Sequence, residues 1–220
     1  MYYLYYLIII LPCILFSFWA SWKVSYTYNK YDKIRNGSLM TGYDTAVKLL
    51  KNRGMTNISV GRVNGRLSDH YNPKSARVNL SESTFGSASV AAVAVAAHEV
   101  GHVMQKEEGY IPYKIRNVLV PITNIGSRLA LPLIIIGILI EFLIASLGGY
   151  GVYVVYVGIA LYGLSTLFML ATLPVEFNAS RRARQMLIDD GILDKSEVKM
   201  GKKVLSAAAL TYVASLMVSL

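Results

Sequence analysis

Four long apolar runs constrain the fold of this chain more than any other feature. They span residues 1–22, 129–147, 150–173 and 204–220. A helix needs about 17 to 25 mostly apolar residues to cross a bilayer, so each run is long enough for one crossing and the last is barely so. The first run lacks the basic start and the small-residue cleavage site of a signal peptide, so we expect an uncleaved anchor. We predict a membrane α-helical protein with about four transmembrane helices.

The distribution of positive charge predicts how the chain is oriented. Lysine and arginine together number 22, against 13 acidic residues, and all of the basic residues lie in two polar segments, 23–128 and 174–203. The glycine pair at 148–149 predicts a tight turn between the second and third runs, and such a hairpin returns both polar segments to the same side. Because positive charge next to a span favours the cytoplasmic side, we expect a multi-pass protein of the cell (inner) membrane with cytoplasmic polar segments and both termini outside.

The same charge argument bears on partners. The basic surplus is explained by orientation at the lipid bilayer, and the sequence has no finger, RNA-binding or phosphate-cradling motif, so we expect no nucleic-acid partner. The single cysteine, Cys13, lies in an apolar run and cannot form an internal disulfide or a thiolate cluster. Any metal must therefore be held by histidine and carboxylate.

The first polar segment has mixed helical and strand patterns. Apolar spacing predicts a helix over 43–54, and short alternating stretches at 58–63, 66–71 and 76–80 predict a small sheet or hairpin. An alanine-rich stretch then predicts a helix over 87–105. We therefore expect a cytoplasmic α+β domain.

That last helix carries His98-Glu99-Val100-Gly101-His102, which matches the HEXXH pattern. Residues four apart lie on the same face of a helix, so His98 and His102 can bind one zinc ion while Glu99 addresses a water molecule. The chain has 3 histidines in all, and two of them are in the motif, which makes a chance match a poor explanation.

A hydrolytic zinc site needs a third protein ligand and an open position for water. His70 is one candidate. Glu176 is the better one, because the predicted hairpin returns residue 176 to the side of the membrane that carries the motif. An alternative reading makes Glu176 a carboxylate in the first turn of a helix that begins after Pro174, stabilised by the helix dipole. The residues alone leave these readings open.

The order of these features resembles a known family. HEXXH after an alanine-rich run, an apolar hairpin and then Glu-Phe-Asn-Ala-Ser-Arg-Arg-Ala at 176–183 is similar to the YugP-like neutral zinc metallopeptidases of bacterial membranes, and more distantly to the HtpX and CAAX-prenyl membrane proteases. The resemblance extends to the N-terminal anchor, segment 68–73 and the last apolar run. It implies a zincin-like metalloprotease domain with one Zn²⁺ per chain, the ligands His98, His102 and Glu176, Glu99 as general base, and protein or peptide substrates.

Four further residues are candidates for supporting roles at the site. The distant relatives have Asp where this chain has Ser180. Either Ser180 or an acidic residue elsewhere in the chain would therefore have to orient an imidazole. Stretch 76–80 with Asn79 is a candidate edge strand for pairing with an extended substrate. His70 could bind substrate or stabilise the oxyanion, although a surface turn is the commoner place for such a histidine. The resemblance singles out Arg184 as a substrate or oxyanion contact.

These observations predict a membrane-anchored zinc metalloendopeptidase that cleaves membrane or membrane-proximal proteins. Its predicted segments are an anchor (1–22), a catalytic region (23–128), a transmembrane hairpin (129–173), a cytoplasmic segment with the third ligand (174–203) and a C-terminal transmembrane helix (204–220).

Two other functions, and two kinds of partner, stay open. A site-2-type intramembrane protease would fit the apolar stretch 88–104, but those enzymes take an aspartate ligand from a later membrane helix and the apolar runs contain none. A non-catalytic zinc scaffold is disfavoured by Glu99, which a closed structural site does not need. An accessory membrane protein or a second copy of the chain is left open as a partner.

Overall fold

The computed structural model describes residues 2–143 and 149–220, and these residues are mostly helical. Along the chain the elements are α1 (Tyr2–Asp32), α2 (Gly42–Asn52), β1 (Ser59–Val63), β2 (His70–Asn72), β3 (Arg77–Ser81), α3 (Glu82–Phe85), α4 (Val90–Glu107), α5 (Ile111–Leu143), α6 (Tyr150–Asp189) and α7 (Lys195–Ser219).

Helix α4 is the centre of the fold. It begins after Ser89, whose side chain accepts a hydrogen bond from the Ala92 N–H at 3.1 Å, as a helix N-cap does. Val93 and Val100 are fully buried, and the helix contacts α2, α6, α7 and the sheet. This central position explains the apolar composition of residues 88–104 without placing α4 in the bilayer. The apolar composition of this stretch, which suggested a site-2-type intramembrane protease, is thus explained by burial inside the protein.

The sheet has the strand order β1-β3-β2, with β1 parallel and β2 antiparallel to β3. Asn79 on β3 pairs with Gly61 on one side and His70 on the other. The prediction that stretch 76–80 is an edge strand is therefore wrong, because that strand is central and β2 is at the edge. The predicted strand at 66–71 is shorter than expected.

Positive φ angles explain why β2 is so short. Gly65 has φ 102° and Leu67 has φ 54°, both incompatible with an extended strand. Ser68 also turns back to donate a hydrogen bond to the Asn64 carbonyl oxygen at 3.0 Å. The chain between β1 and β2 is therefore a compact loop, and only residues 70–72 join the sheet.

Helices α5 and α6 form the predicted hairpin and pack closely along their length. Gly137 on α5 faces Gly151 on α6, and a Cβ at Gly137 would lie only 2.7 Å from the Gly151 carbonyl oxygen. Among the described residues, α5 and α6 are the two helices identified as long and apolar enough to cross a membrane. Gly148 of the predicted turn lies outside the described residues, whereas Gly149 is described and has the left-handed φ of 86°.

Several helices run past the boundaries expected from apolarity. α1 continues to Asp32, where Tyr28 and Tyr31 are buried against the domain. α5 begins 18 residues before the predicted span at 129, and α6 continues through Pro174 to Asp189. Glu176 therefore lies well inside a long helix, and its reading as a first-turn carboxylate after Pro174 is wrong.

Candidate metal centre

Three side chains from two helices converge in the interior. His98 Nε2 lies 3.1 Å and His102 Nε2 lies 3.7 Å from the same atom, Glu176 Oε2. One ligand atom from each residue can be chosen so that all lie within 4.8 Å of one another. The histidines come from successive turns of α4 and the carboxylate comes from α6, so the site exists only when these helices pack together.

The donor set fits a zinc ion. Two imidazole nitrogens and one carboxylate oxygen form a three-ligand set of the kind found in hydrolytic zinc sites. Glu176 is 3% exposed, and its second oxygen, Oε1, is buried without a hydrogen-bond partner among the described residues. A carboxylate buried in this way is costly unless a cation compensates it. The nearest described cation is Arg116, whose Nη2 lies 3.7 Å from Oε1, too far for a hydrogen bond. A metal ion bound between the three side chains would compensate the charge of Glu176 more directly.

The second nitrogen of each imidazole also has a partner. His98 Nδ1 lies 3.2 Å from Ser180 Oγ, and His102 Nδ1 lies 2.9 Å from Gln105 Oε1. A partner on this nitrogen fixes the ring orientation of a metal-binding histidine. Ser180 is therefore placed to orient the imidazole of His98, the part that the sequence analysis considered for it in place of an aspartate.

Gln105 is a site residue that the sequence analysis missed. It is fully buried, and its amide donates to the Val175 carbonyl oxygen at 2.7 Å and to Asn178 Oδ1 at 3.0 Å. It therefore connects His102 on α4 to the turn of α6 that carries Glu176. Its spacing three residues after His102 was the available signal, since such residues are neighbours on a helix.

Glu99 lies beside the cluster and is buried, with 7% exposure. Burial raises the pKa of its carboxyl group to about 7, and the negative charges of Glu176 and Asp69 act in the same direction, while His98 acts against them. A glutamate in this position is poised to exchange a proton near neutral pH.

A small cavity of about 110 Å³ joins these groups. His98, Glu99, His102 and Glu176 line one part of it. The rest is lined by residues from the β2 region, α5 and α7, namely Asp69, His70, Tyr71, Tyr113, Arg116 and Tyr212. Most of this second set was not anticipated, because the residues carry no local motif and come together only through tertiary packing.

Sequence comparison places the chain in a family. A model of the family described as "Putative neutral zinc metallopeptidase" matches residues 6–220. The chain belongs to this family. It is also 42% identical over 204 residues to a protein of Bacillus subtilis (strain 168) named "Putative membrane protease YugP", an alignment that covers 93% of this chain and 87% of that relative. No solved structure matches the chain. Family membership supports a protease function and zinc as the metal, in agreement with the resemblance drawn from the HEXXH motif.

Two residues that the sequence analysis associated with this zinc metallopeptidase site lie at its margin. His70 is exposed and lines the cavity, but its Nδ1 lies 2.9 Å from the Ser68 carbonyl oxygen and its Nε2 lies 3.2 Å from Asn79 Nδ2. Both ring nitrogens therefore have protein partners outside the ligand cluster. Asn79 reaches the site only through His70.

Arg184 is directed elsewhere. It lines a different cavity, with Phe177 and Lys202, and its Nε lies 3.4 Å from the carbonyl oxygen of Ser180 in its own helix. The arginine that lines the cavity beside the ligand cluster is Arg116 on α5. The two arginines thus have different surroundings, although only Arg184 was singled out from the sequence.

Proposed function

We propose that this protein is a membrane-anchored zinc metalloendopeptidase that hydrolyses peptide bonds in membrane or membrane-proximal proteins. The observation that carries the proposal is the convergence of His98, His102 and Glu176 in one cavity that Glu99 also lines. A three-ligand set next to a free carboxylate is the arrangement of a hydrolytic zinc site, whereas a structural site is closed by four protein ligands.

In this proposal His98, His102 and Glu176 hold one Zn²⁺ per chain, and Ser180 and Gln105 orient the two imidazoles. A bound zinc ion supplies a Lewis acid that polarises a carbonyl group and lowers the pKa of water. Because each orienting partner contacts the nitrogen away from Glu176, both histidines keep Nε2 directed at the centre of the cluster.

Glu99 is proposed to act as the general base and then as the general acid. Its carboxylate accepts a proton from the attacking water and later gives that proton to the nitrogen of the leaving amine. Its place in the cavity supports this role, because Glu99 is buried next to the ligand cluster rather than paired with a basic side chain on the surface.

Arg116 is proposed to stabilise the oxygen that becomes negatively charged during the reaction. It lines the cavity opposite α4, and its Nε is buried without a hydrogen-bond partner within the described ranges. A fixed donor of this kind, directed at a developing negative charge, is a common source of rate enhancement. Arg184 is not assigned this role, because it lines another cavity.

The substrate is proposed to bind in an extended form along the outer edge of β2. Within the described residues β2 pairs with β3 on one side only, and Asp69, His70 and Tyr71 line the cavity that contains Glu99. An exposed strand edge offers main-chain groups to an added strand. This assigns to β2 the role that the sequence analysis gave to stretch 76–80.

The membrane arrangement is proposed from charge and apolarity together. α5 and α6 form the hairpin, and α1 and α7 carry the other two apolar runs, 1–22 and 204–220. Since every lysine and arginine lies in 23–128 or 174–203, these segments are assigned to the cytoplasm and both termini to the outside of the cell membrane. The cavity then faces protein segments that emerge from the bilayer.

The decisive experiment measures zinc in the detergent-purified full-length protein and its cleavage of unfolded casein. We expect wild type and Glu99→Gln to retain one zinc, with cleavage lost in Glu99→Gln, and Glu176→Ala to lose zinc. His70→Ala is the matched control for ligand identity and should keep the metal. Normal zinc in Glu176→Ala would contradict the proposed ligand set, and normal substrate turnover by Glu99→Gln would favour a different base or a non-catalytic scaffold.

A further inference from the structure

A second cavity, of about 230 Å³, adjoins the metal cluster. It shares His98, Glu99 and Glu176 with the smaller cavity described above and extends from them toward α1 and α7. Any peptide held with its scissile bond at the cluster therefore has a neighbouring space for one of its side chains.

The far wall of this cavity is apolar. The apolar lining consists of Val24 of α1, Leu67 of the β1–β2 loop, Val95 of α4, and Leu205 and Ala208 of α7, and Thr211 and Tyr212 of α7 complete that side of the cavity. No lysine or arginine side chain lines it in the described part of the chain. A charged substrate side chain that entered this apolar part of the cavity would lose its hydration, whereas an apolar side chain would gain from leaving water.

Asp69 is the one charged residue in this lining apart from the catalytic cluster, and it is already engaged. Its two carboxylate oxygens accept hydrogen bonds from Ser81, one from the main-chain N–H at 2.7 Å and one from Oγ at 2.8 Å. Asp69 therefore holds the β1–β2 loop on the sheet, and both of its carboxylate oxygens already have hydrogen-bond donors from the protein.

The cavity has the capacity for a large apolar group. An apolar protein cavity of about 150 Å³ is sufficient to hold benzene. At about 230 Å³, this space accommodates a side chain such as leucine or phenylalanine.

The cavity also lies at the predicted bilayer surface. Val24 follows the first apolar run by two residues, and Leu205 is the second residue of the last run. The helices that form the far wall therefore leave the predicted membrane at the level of the cavity, where a substrate segment emerging from the bilayer would present apolar side chains.

We propose that this cavity is a specificity pocket, which binds an apolar substrate side chain of leucine or phenylalanine size directly next to the scissile bond. This inference rests on the proposed peptidase function. It names the substrate class as membrane-proximal segments that place a large apolar residue at the cleavage site.

The test uses a set of water-soluble peptides that share one polar sequence and differ at a single position, occupied by Phe, Leu, Ala, Lys or Asp. The zinc-loaded full-length protein in detergent is incubated with each, and the fragments are identified by mass spectrometry. Wild type should cleave next to Phe or Leu with kcat/KM about tenfold or more above that for Lys or Asp, a discrimination typical of an apolar pocket.

Two variants then alter the pocket in opposite directions. Ala208→Leu fills it and should lower kcat/KM for the Phe peptide about tenfold or more relative to the Ala peptide, with zinc content unchanged. Leu67→Ala enlarges the pocket at a residue that is 37% exposed, so folding should be preserved. This variant should raise kcat/KM for the Phe peptide relative to the Leu peptide. Ala207→Leu is the matched control, because Ala207 on the same helix lines a cavity that shares no lining residue with this pocket, and it should keep the wild-type preference.

The outcomes separate the pocket from the proposed function. Cleavage of all five peptides at equal rates, or an unchanged Phe-to-Ala ratio in Ala208→Leu together with unchanged preference in Leu67→Ala, would overturn the pocket while leaving the peptidase intact. If the zinc-loaded wild type cleaves none of the peptides and no casein, the proposed function fails and the pocket assignment fails with it.

Discussion

Gly101 on α4 packs directly against the main chain of Ala179 on α6. A Cβ atom at position 101 would lie 2.7 Å from the Ala179 carbonyl oxygen and 3.2 Å from its Cα. Gly101 lies between the histidines of the HEXXH motif, and Ala179 lies between Glu176 and Ser180. The close approach that brings the third ligand to the histidines thus depends on a glycine at a position that the motif itself leaves unspecified.

Gly101→Ala is therefore expected to abolish zinc binding although it changes no ligand. The added methyl group would collide with main-chain atoms of Ala179. Main-chain atoms cannot move aside as the tip of a flexible side chain can, so α6 must shift away from α4. The measurement is zinc content of the purified protein together with casein cleavage.

The control for this prediction is Gly163→Ala on α6. Among the described residues, a Cβ at Gly163 would meet no side chain and no main-chain atom of another segment within 4 Å, so the same substitution in the same kind of helix should leave zinc content and activity at the wild-type level. Full zinc occupancy in Gly101→Ala would show that the two helices can separate slightly without losing the third ligand.

Metal removal should lower the stability of the domain. Without a cation, Glu176 keeps one buried oxygen without a hydrogen-bond partner among the described residues, and binding to the folded state alone stabilises it by mass action. We expect a chelator to lower the Tm of wild type and added zinc to restore it. Thermal unfolding of the detergent-solubilised protein, followed by circular dichroism, measures the change.

Glu176→Ala supplies the comparison for metal removal. Its Tm should be insensitive to chelator, because the variant lacks the third ligand. A wild-type Tm that does not respond to chelator, in protein shown by direct analysis to have lost its zinc, would contradict a structural contribution from the metal.

The features predicted correctly from the sequence are those with local causes. The helix around HEXXH follows from its alanine-rich composition, and the paired histidines follow from helical spacing alone. The packing of α5 on α6 follows from two apolar runs that are close together in the chain. In each case the pattern that predicts the structure is local in the sequence.

The features that were missed depend on packing between distant segments. Strand order places β3 in the centre because β1 and β2 pair with it from opposite sides, and no local pattern distinguishes a central strand of five residues from an edge strand. Pro174 indicated a helix start, yet it lies within α6, where the helix continues on both sides. Arg116 was overlooked in favour of Arg184 because only tertiary packing brings α5 to the cavity.

Gln105 is expected to determine zinc affinity through His102. Gln105→Ala removes the partner of His102 Nδ1 and also the hydrogen bonds to Val175 and Asn178, so the imidazole loses its fixed orientation. Loss of such a partner typically weakens metal affinity about 10-fold to 100-fold. Competition with a zinc-binding dye measures the affinity.

Gln185→Ala is the matched control, since Gln185 is an exposed residue of α6 whose side chain donates a hydrogen bond to Asp189, on the surface of the helix. It should bind zinc as wild type does. Ser180→Ala should resemble Gln105→Ala in direction, because Ser180 contacts Nδ1 of His98. An unchanged affinity in Gln105→Ala would mean that packing alone holds His102 in place.

Arg116 and Arg184 should differ sharply in their effect on catalysis. Arg116 lines the cavity with Glu99 and the ligand cluster, so Arg116→Gln should lower kcat about 10²-fold to 10³-fold, as loss of an oxyanion donor does, with little change in KM. Arg184→Gln should leave both constants near wild type, because Arg184 lines a separate cavity.

Zinc content measured alongside separates the two explanations for Arg116. If Arg116→Gln also loses zinc, the charge of Arg116 serves to position Glu176. If zinc is retained while kcat falls, the donors of Arg116 act on the substrate. Equal losses of kcat in the two variants would contradict the assignment of the oxyanion donor to α5.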